Sequence, residues 1–307
     1  YHCWKDKGHG YMSLRNAIKQ SCDTYFYETA RKLGVDRLNI TATKFGLGST
    51  VLNGVYPNEK KGLIPSTKWK RNNLNEGWVL GETLITGIGQ GYIQTTPIQL
   101  CLMTAQLANG GFKIYPRIIF DENQDSIEII KNKMLENINK EEEKKLIPMS
   151  VEKLFNIKDK EYTKLFNNQE NIKFVLEAMF GSTNEPWGTS YSSRIENPKY
   201  QFAGKTGTSQ VKKITEQQRE LDFDISQIPY EDRDHALYVA FGPYNNPRYA
   251  VSIIIEHGGS GSITAAPIAK KLFKLVIDRH EQREKIRKKN LTNMKFFSKL
   301  RIAIANN

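Results

Sequence analysis

No stretch of the 307 residues stays apolar long enough to cross a bilayer. The longest largely apolar runs, ALYVAF at 236–241 and YAVSIII at 249–255, have the length of strands. No signal-peptide pattern opens the chain, so any segment that exports or anchors the protein is expected to lie outside it. Cysteine is scarce and odd in number: Cys3, Cys22 and Cys101. That excludes a disulfide framework and leaves at least one thiol free or metal-bound. Cys101, inside PIQLCLMTAQLA, reads as a small buried hydrophobe. Acidic residues are outnumbered, 33 Asp and Glu against 45 Lys and Arg, giving a net charge of +12. Such an excess draws anionic polymers or lipid surfaces. Basic and aromatic residues do not interleave and no nucleic-acid motif is present, so no nucleic-acid partner is expected. What remains is the composition of a globular protein, 39% hydrophobic and 25% charged, in a chain long enough for a substantial core.

Residues 12–34 read as two helices broken at the small, polar QSCDTY, with Ser13 capping the first and Gly34 ending the second. A further helix follows over 35–48. Residues 49–94, rich in Gly, Asn and Pro, read as loop and short elements. Thr96 caps and Pro97 opens a helix over 95–109, stopped by Gly110 and Gly111. The segment 121–170 is Lys-, Glu- and Asn-rich and insertion-like, and carries no evident chemistry. A buried helix resumes at 171–181. Strands are expected at 200–211, 236–243 and 248–256, with PYNNPR turning the last two into a hairpin. The helix APIAKKLFKLVIDR follows. The basic segment 281–307 is weakly amphipathic and is expected to fray. The organisation is one domain over 1–280 and a basic tail over 281–307.

Chemistry concentrates in FAGKTGTSQV at 202–211. A strand with Gly207 beside Lys205 lets a ligand's backbone come close, and an extended peptide can add to it through main-chain hydrogen bonds. The ammonium of Lys205 and the hydroxyls of Thr206 and Thr208 suit a carboxylate. In a flat strand, Lys205 and Gly207 face opposite to Thr206 and Thr208, so a twist or a bulge at Gly207 is expected to bring Thr208 round. K-T-G accompanies S-D-N and S-x-x-K in serine acyltransferases of the penicillin-binding and β-lactamase type. The second motif has its counterpart in SCD at 21–23, with Asp23 where Asn is commoner, at the helix break where a hydroxyl can point into a cleft.

Together with GETLITGIGQGYIQTTPIQL, EPWGTSY and HALYVAFGPYNNPRYAVSIIIEHGG, these stretches make the chain resemble the transpeptidase domain of the class B, elongation-specific penicillin-binding proteins, the penicillin-binding protein 2 group, over about residues 1–278. The resemblance implies an α+β fold, an antiparallel sheet of about five strands with helices on both faces, three of the strands being in this chain and the rest expected upstream of it. It also implies D,D-transpeptidation of D-Ala-D-Ala stem peptides through a serine acyl-enzyme, inhibition by β-lactams, a membrane glycosyltransferase partner of the RodA type, and a place on the periplasmic side of a bacterial inner membrane. Ser21 would relay a proton to the leaving group, and Asp23 would orient the substrate amide or the base lysine. Lys205 would support the proton network, and Thr206, Gly207, Thr208 and Ser209 would line the substrate strand. An oxyanion-binding N–H would lie near Thr208 or Ser209. The alternatives are a serine β-lactamase, against which GIGQGYIQTTPIQL speaks, and a non-catalytic penicillin-binding or sensor module.

One part of the pattern is missing. S-x-x-K occurs only as SVEK at Ser150 and SQVK at Ser209. The first follows the second motif in low-complexity sequence, and the second puts its two side chains on opposite faces of a strand. Neither has the family's order, so this chain is expected to lack the nucleophile and to be inactive alone. Catalysis requires no cofactor, but Cys3, His9 and Cys22 form C-x5-H-x12-C, and thiolate with imidazole suits a structural Zn²⁺. Relatives with zinc beside the cleft carry His and Cys at positions like His9 and Cys22. The fourth ligand is left among His2, Asp6 and a residue preceding Tyr1. His235 and His257 are read as structural or exposed.

Overall fold

The computed structural model of the chain describes residues 1–52, 58–116, 163–211 and 227–305, with side chains up to residue 289. Most of the Lys/Glu-rich segment, including Ser150, and most of the loop expected over 212–234 lie outside these residues.

The chain opens with three short helices, α1 (Leu14–Gln20), α2 (Asp23–Leu33) and α3 (Val35–Lys44). Ser13 Oγ accepts from Asn16 N–H at the start of α1, and Gly34, at φ 78°, separates α2 from α3. Two eight-residue helices, α4 (Thr67–Leu74) and α5 (Leu80–Gly87), occupy the segment read from sequence as loop and short elements. Each is too short for periodicity to stand out, but both have local start signals. Ser66 Oγ accepts from Trp69 N–H, and Glu82 accepts from Val79 N–H. α5 lies hard against α2, because a Cβ on Gly87 would come 2.4 Å from that of Ala30. α6 (Pro97–Ala108) has its Thr96 cap and Pro97 at the first turn, and α7 (Gln169–Asn184) is longer at both ends than expected.

Three antiparallel strands follow in the order β1 (Ala203–Ser209), β2 (His235–Gly242) and β3 (Tyr249–Ile255). Their register is unbroken from Ala203↔Phe241 to Ser209↔His235, so there is no bulge at Gly207. Helices cover both faces. On one, Phe202, Tyr238 and Ile253 pack against Ala266, Ala269, Phe273 and Ile277 of α8 (Ala266–Ala305). On the other, Ala203 and Phe241 pack against Leu107 of α6 and Ile172 and Met179 of α7. Phe202, Tyr238, Phe241 and Phe273 are almost wholly buried, and burying an aromatic ring of this size contributes roughly 1.5–3 kcal/mol. The terminal helix does not stop at residue 279 or fray through the basic segment; it continues to Ala305. After Pro267 it contains neither Pro nor Gly, and Lys, Arg, Glu and Leu keep its propensity high.

Candidate active site

Ser21 ends α1 in a left-handed conformation, φ 53° and ψ 54°. Its N–H turns back to Ala17 and Ile18, and Cys22 N–H to Ala17 O, so the serine side chain leaves the helix axis. There its hydroxyl accepts a hydrogen bond from Lys205 Nζ, across 184 positions of sequence. The same ammonium donates to Thr206 O at 3.0 Å and reaches Thr206 Oγ1 at 3.4 Å. The hydroxyls continue inward, from Thr206 Oγ1 to Thr189 Oγ1 and on to Ser182 Oγ, each step 3.1 Å. The lysine residue is half-buried. Burial pushes its pKa down to about 8, and the charge of Asp23 opposes that shift. Burial also raises the Asp23 carboxyl, against the pull of Trp4 N–H and the Lys205 charge.

Trp4 is a neighbour of this turn that the motifs did not single out. Its N–H donates to Asp23 Oδ2 at 2.9 Å, and its indole Nε1 donates to Ser21 O at 2.8 Å and Gln20 O at 3.2 Å. One residue therefore pins both ends of the SCD turn. Thr189 is a second such residue. Its turn docks on α1 through Thr189 N–H to Lys19 O, and Glu185 clamps the same helix with Lys19 at 2.9 Å and Arg15 at 2.5 Å. The Arg15 hydrogen bond and the Lys19 ammonium hold the Glu185 carboxyl down at about 2.

Among the described residues β1 is an edge strand. Gly204 N–H goes to Thr183 Oγ1 at 3.0 Å and Thr208 O accepts from Gln90 Nε2 at 2.6 Å, both on the side away from β2. By the alternation of a strand, Gly204, Thr206 and Thr208 turn their main-chain groups outward, and Ser209 turns its own toward His235. Of the two expected oxyanion donors, only the N–H of Thr208 faces the free edge. Side chains alternate the other way. Lys205 shares its face with Val239 and opens onto an apolar cavity of about 220 Å³ whose walls include Ile18, Phe26, Met103, Leu107 and Met179.

Cys3, His9 and Cys22 come together as the spacing suggested, with their ligating atoms all within 4.8 Å of one another. Cys3 Sγ lies 3.3 Å from His9 Nδ1, and Cys22 is buried. Burial and the charge of Lys5 lower the His9 pKa, and Asp23 opposes them. Among the described residues neither His2 nor Asp6 joins this group. His235 and His257 pair with each other, His257 N–H donating to His235 Nδ1 at 2.9 Å, opposite Ser209.

The chain is 36% identical over 280 residues to the peptidoglycan D,D-transpeptidase MrdA of Salmonella typhimurium, covering 91% of this chain and 40% of that protein. It is 30% identical over 279 residues to MrdA of Escherichia coli, covering 91% and 38%. The crystal structure of Pseudomonas aeruginosa PBP2 in complex with WCK 5153 superposes with a TM-score of 0.67 at 35% identity, over 90% of this chain and 51% of that one. The complex of PBP2 and MreC from Helicobacter pylori gives 0.67 at 28% identity, over 90% and 42%. The chain spans about 40% of the length of the curated relatives it matches. Residues 1–274 match the family described as the penicillin binding protein transpeptidase domain, and the chain belongs to that family.

Proposed function

We propose that this chain carries the second and third motifs of a peptidoglycan D,D-transpeptidase, and that the acylated serine and its base lysine come from polypeptide outside it. The observation that carries the reading is the hydrogen bond between Lys205 Nζ and Ser21 Oγ, beside the free edge of β1. The apolar cavity next to Lys205 supplies a seat for a helix bearing the missing pair.

In the complete site, the serine gives its proton to its base lysine as Oγ attacks the carbonyl of the penultimate D-Ala, and the tetrahedral oxyanion is held by main-chain N–H groups, that of Thr208 among them. The C–N bond then breaks, and the departing D-Ala amine takes its proton through Ser21 and Lys205. With a pKa of about 8, Lys205 can give a proton as the ammonium and take one back as the amine near neutrality. Thr206 and Thr208 bind the terminal carboxylate within the positive potential of Lys205. Asp23 fixes the substrate amide or the base lysine. An amine of a second stem peptide then displaces the serine. The family context supports a periplasmic setting at the inner membrane and a RodA-type glycosyltransferase partner.

The isolated chain is expected to form no covalent adduct with a fluorescent penicillin. The same chain joined to the preceding segment of its encoded protein is expected to label on a single serine there. Labelling of the isolated chain at Ser21, Ser150 or Ser209 would overturn this reading.

Cys3, His9 and Cys22 fit three positions of a structural zinc site, being soft or borderline donors within reach of one ion. Bound zinc would supply a fixed anchor for the Ser21–Asp23 turn, through Cys22 between them. Purified protein is expected to contain about one zinc per chain, and Cys22→Ser to lose it together with thermal stability. Metal-free protein in both cases, by elemental analysis, ends the idea.

A further inference from the structure

The GIGQGY loop brings a side-chain amide to the edge of β1. Gln90 Nε2 donates to Thr208 O at 2.6 Å, across 118 positions of sequence. The loop is held from both sides. Gly89 N–H returns to Thr86 O at 3.0 Å and Gln90 N–H to Ile85 O at 3.1 Å, closing the end of α5. Gly89 and Gly91 flank the glutamine at φ 81° and 75°, a pair of left-handed positions that turns its side chain toward the strand. Beyond Gly91, Tyr92 OH donates to Glu82 Oε1 at 3.2 Å, and Glu82 is itself bound by the buried Lys70 at 2.6 Å. Trp69 and Trp78 pack their rings against Tyr92. This anchorage reduces the freedom Gln90 loses on meeting Thr208.

A carboxamide N–H has the same donor chemistry as a peptide N–H. Thr208 O belongs to the outward set of main-chain groups on β1, the set an extended peptide needs in order to add to that edge. An exposed edge also invites unwanted strand pairing, which a tethered donor suppresses. We propose that Gln90 is a built-in stand-in for the peptide ligand: its carboxamide occupies Thr208 O in the empty groove and is displaced when a ligand's backbone amide takes that carbonyl. Gln90 thereby sets the affinity threshold for ligands that present an amide at this position over those that do not. The proposal rests on the reading of β1 as the substrate edge.

The test is a chemical-shift titration of the full chain with diacetyl-L-lysyl-D-alanyl-D-alanine, and with the same peptide N-methylated at its backbone amides. In the wild type, the unmethylated peptide is expected to shift the Gln90 side-chain amide resonances. Gln90→Met keeps length and removes the donor, and Gln90→Ala removes the whole reach. Both are expected to tighten binding of the unmethylated peptide about fivefold, the worth of one hydrogen bond no longer displaced. Binding of the N-methylated peptide is expected to stay the same across all three proteins. Weaker or unchanged binding of the unmethylated peptide to both variants overturns the stand-in role while leaving the substrate edge intact. Absence of binding to wild type and variants alike overturns the substrate edge itself, and the stand-in role with it.

Discussion

Gly204→Ala destabilises the chain by about 3 kcal/mol, the upper end of what overpacking a filled core costs. The strain is steric and not conformational, since Gly204 is in the ordinary strand region. A Cβ there would lie 2.3 Å from Tyr238 Oη and 2.5 Å from Cζ. Tyr238 cannot step aside, because it is wholly buried and its hydroxyl is held by Thr183 and Ser190, each at 3.0 Å. Nor can β1 move outward freely, because Gly204 N–H is bound to Thr183 in the same cluster. Urea unfolding is expected to show a lower midpoint with an unchanged slope. Adding Tyr238→Phe returns part of the loss by removing the oxygen, but the ring carbons remain too close. A loss below about 0.5 kcal/mol would mean that the strand and tyrosine are not packed as described. The consequence reaches the site, because the next residue is Lys205.

Lys205→Met makes the chain more stable at neutral pH, by up to about 3 kcal/mol, while removing the group proposed to handle the proton. The folded lysine has a pKa near 8 against 10.5 for the free side chain. Below pH 8 the ammonium is charged in both states, and the folded protein carries the penalty of its burial. Between pH 8 and 10.5 the unfolded chain holds more protons than the folded one, so wild-type stability rises with pH through that window. Above 10.5 this contribution is flat. Methionine has similar reach and no charge, so the variant lacks the rise and the two stability curves converge toward pH 10.5. The lost hydrogen bonds to Ser21 and Thr206 reduce the gain without changing the direction of the pH effect. Parallel curves across this window, or a variant less stable than wild type at pH 7, would overturn the argument.

Both substitutions touch residues whose surroundings the sequence announced unevenly. Caps and breaks were readable because their chemistry is local: Ser13, Thr96 with Pro97, Gly34, and the small polar break at Ser21–Asp23 all sit where residue type alone predicts a helix end. The three strands were readable from β-branched and aromatic runs, with ends displaced by one to three residues. α4 and α5 were not, since two turns of helix carry too few apolar positions to reveal a period. The paired motifs pointed to Ser21 and Lys205 separately, and the hydrogen bond between them joins the two side chains. Trp4, Thr189 and Gln90 were invisible as site residues for a common reason. Each acts through a backbone atom or a hydroxyl far away in sequence, and such contacts leave no periodicity or spacing to read. Of the twist or bulge expected to bring Thr208 round, the bulge is absent, because the ladder stays regular through Gly207, and the lysine side chain folds back to Thr206 instead.

Ser21 holds a backbone conformation that glycine adopts at no steric cost and serine does not. A laboratory selection that rewards heat resistance alone would therefore drift toward glycine here and toward an uncharged residue at 205, improving the scaffold while erasing its reactivity. Thermal hardening of this domain has to be sought elsewhere in the molecule, with these two positions held fixed.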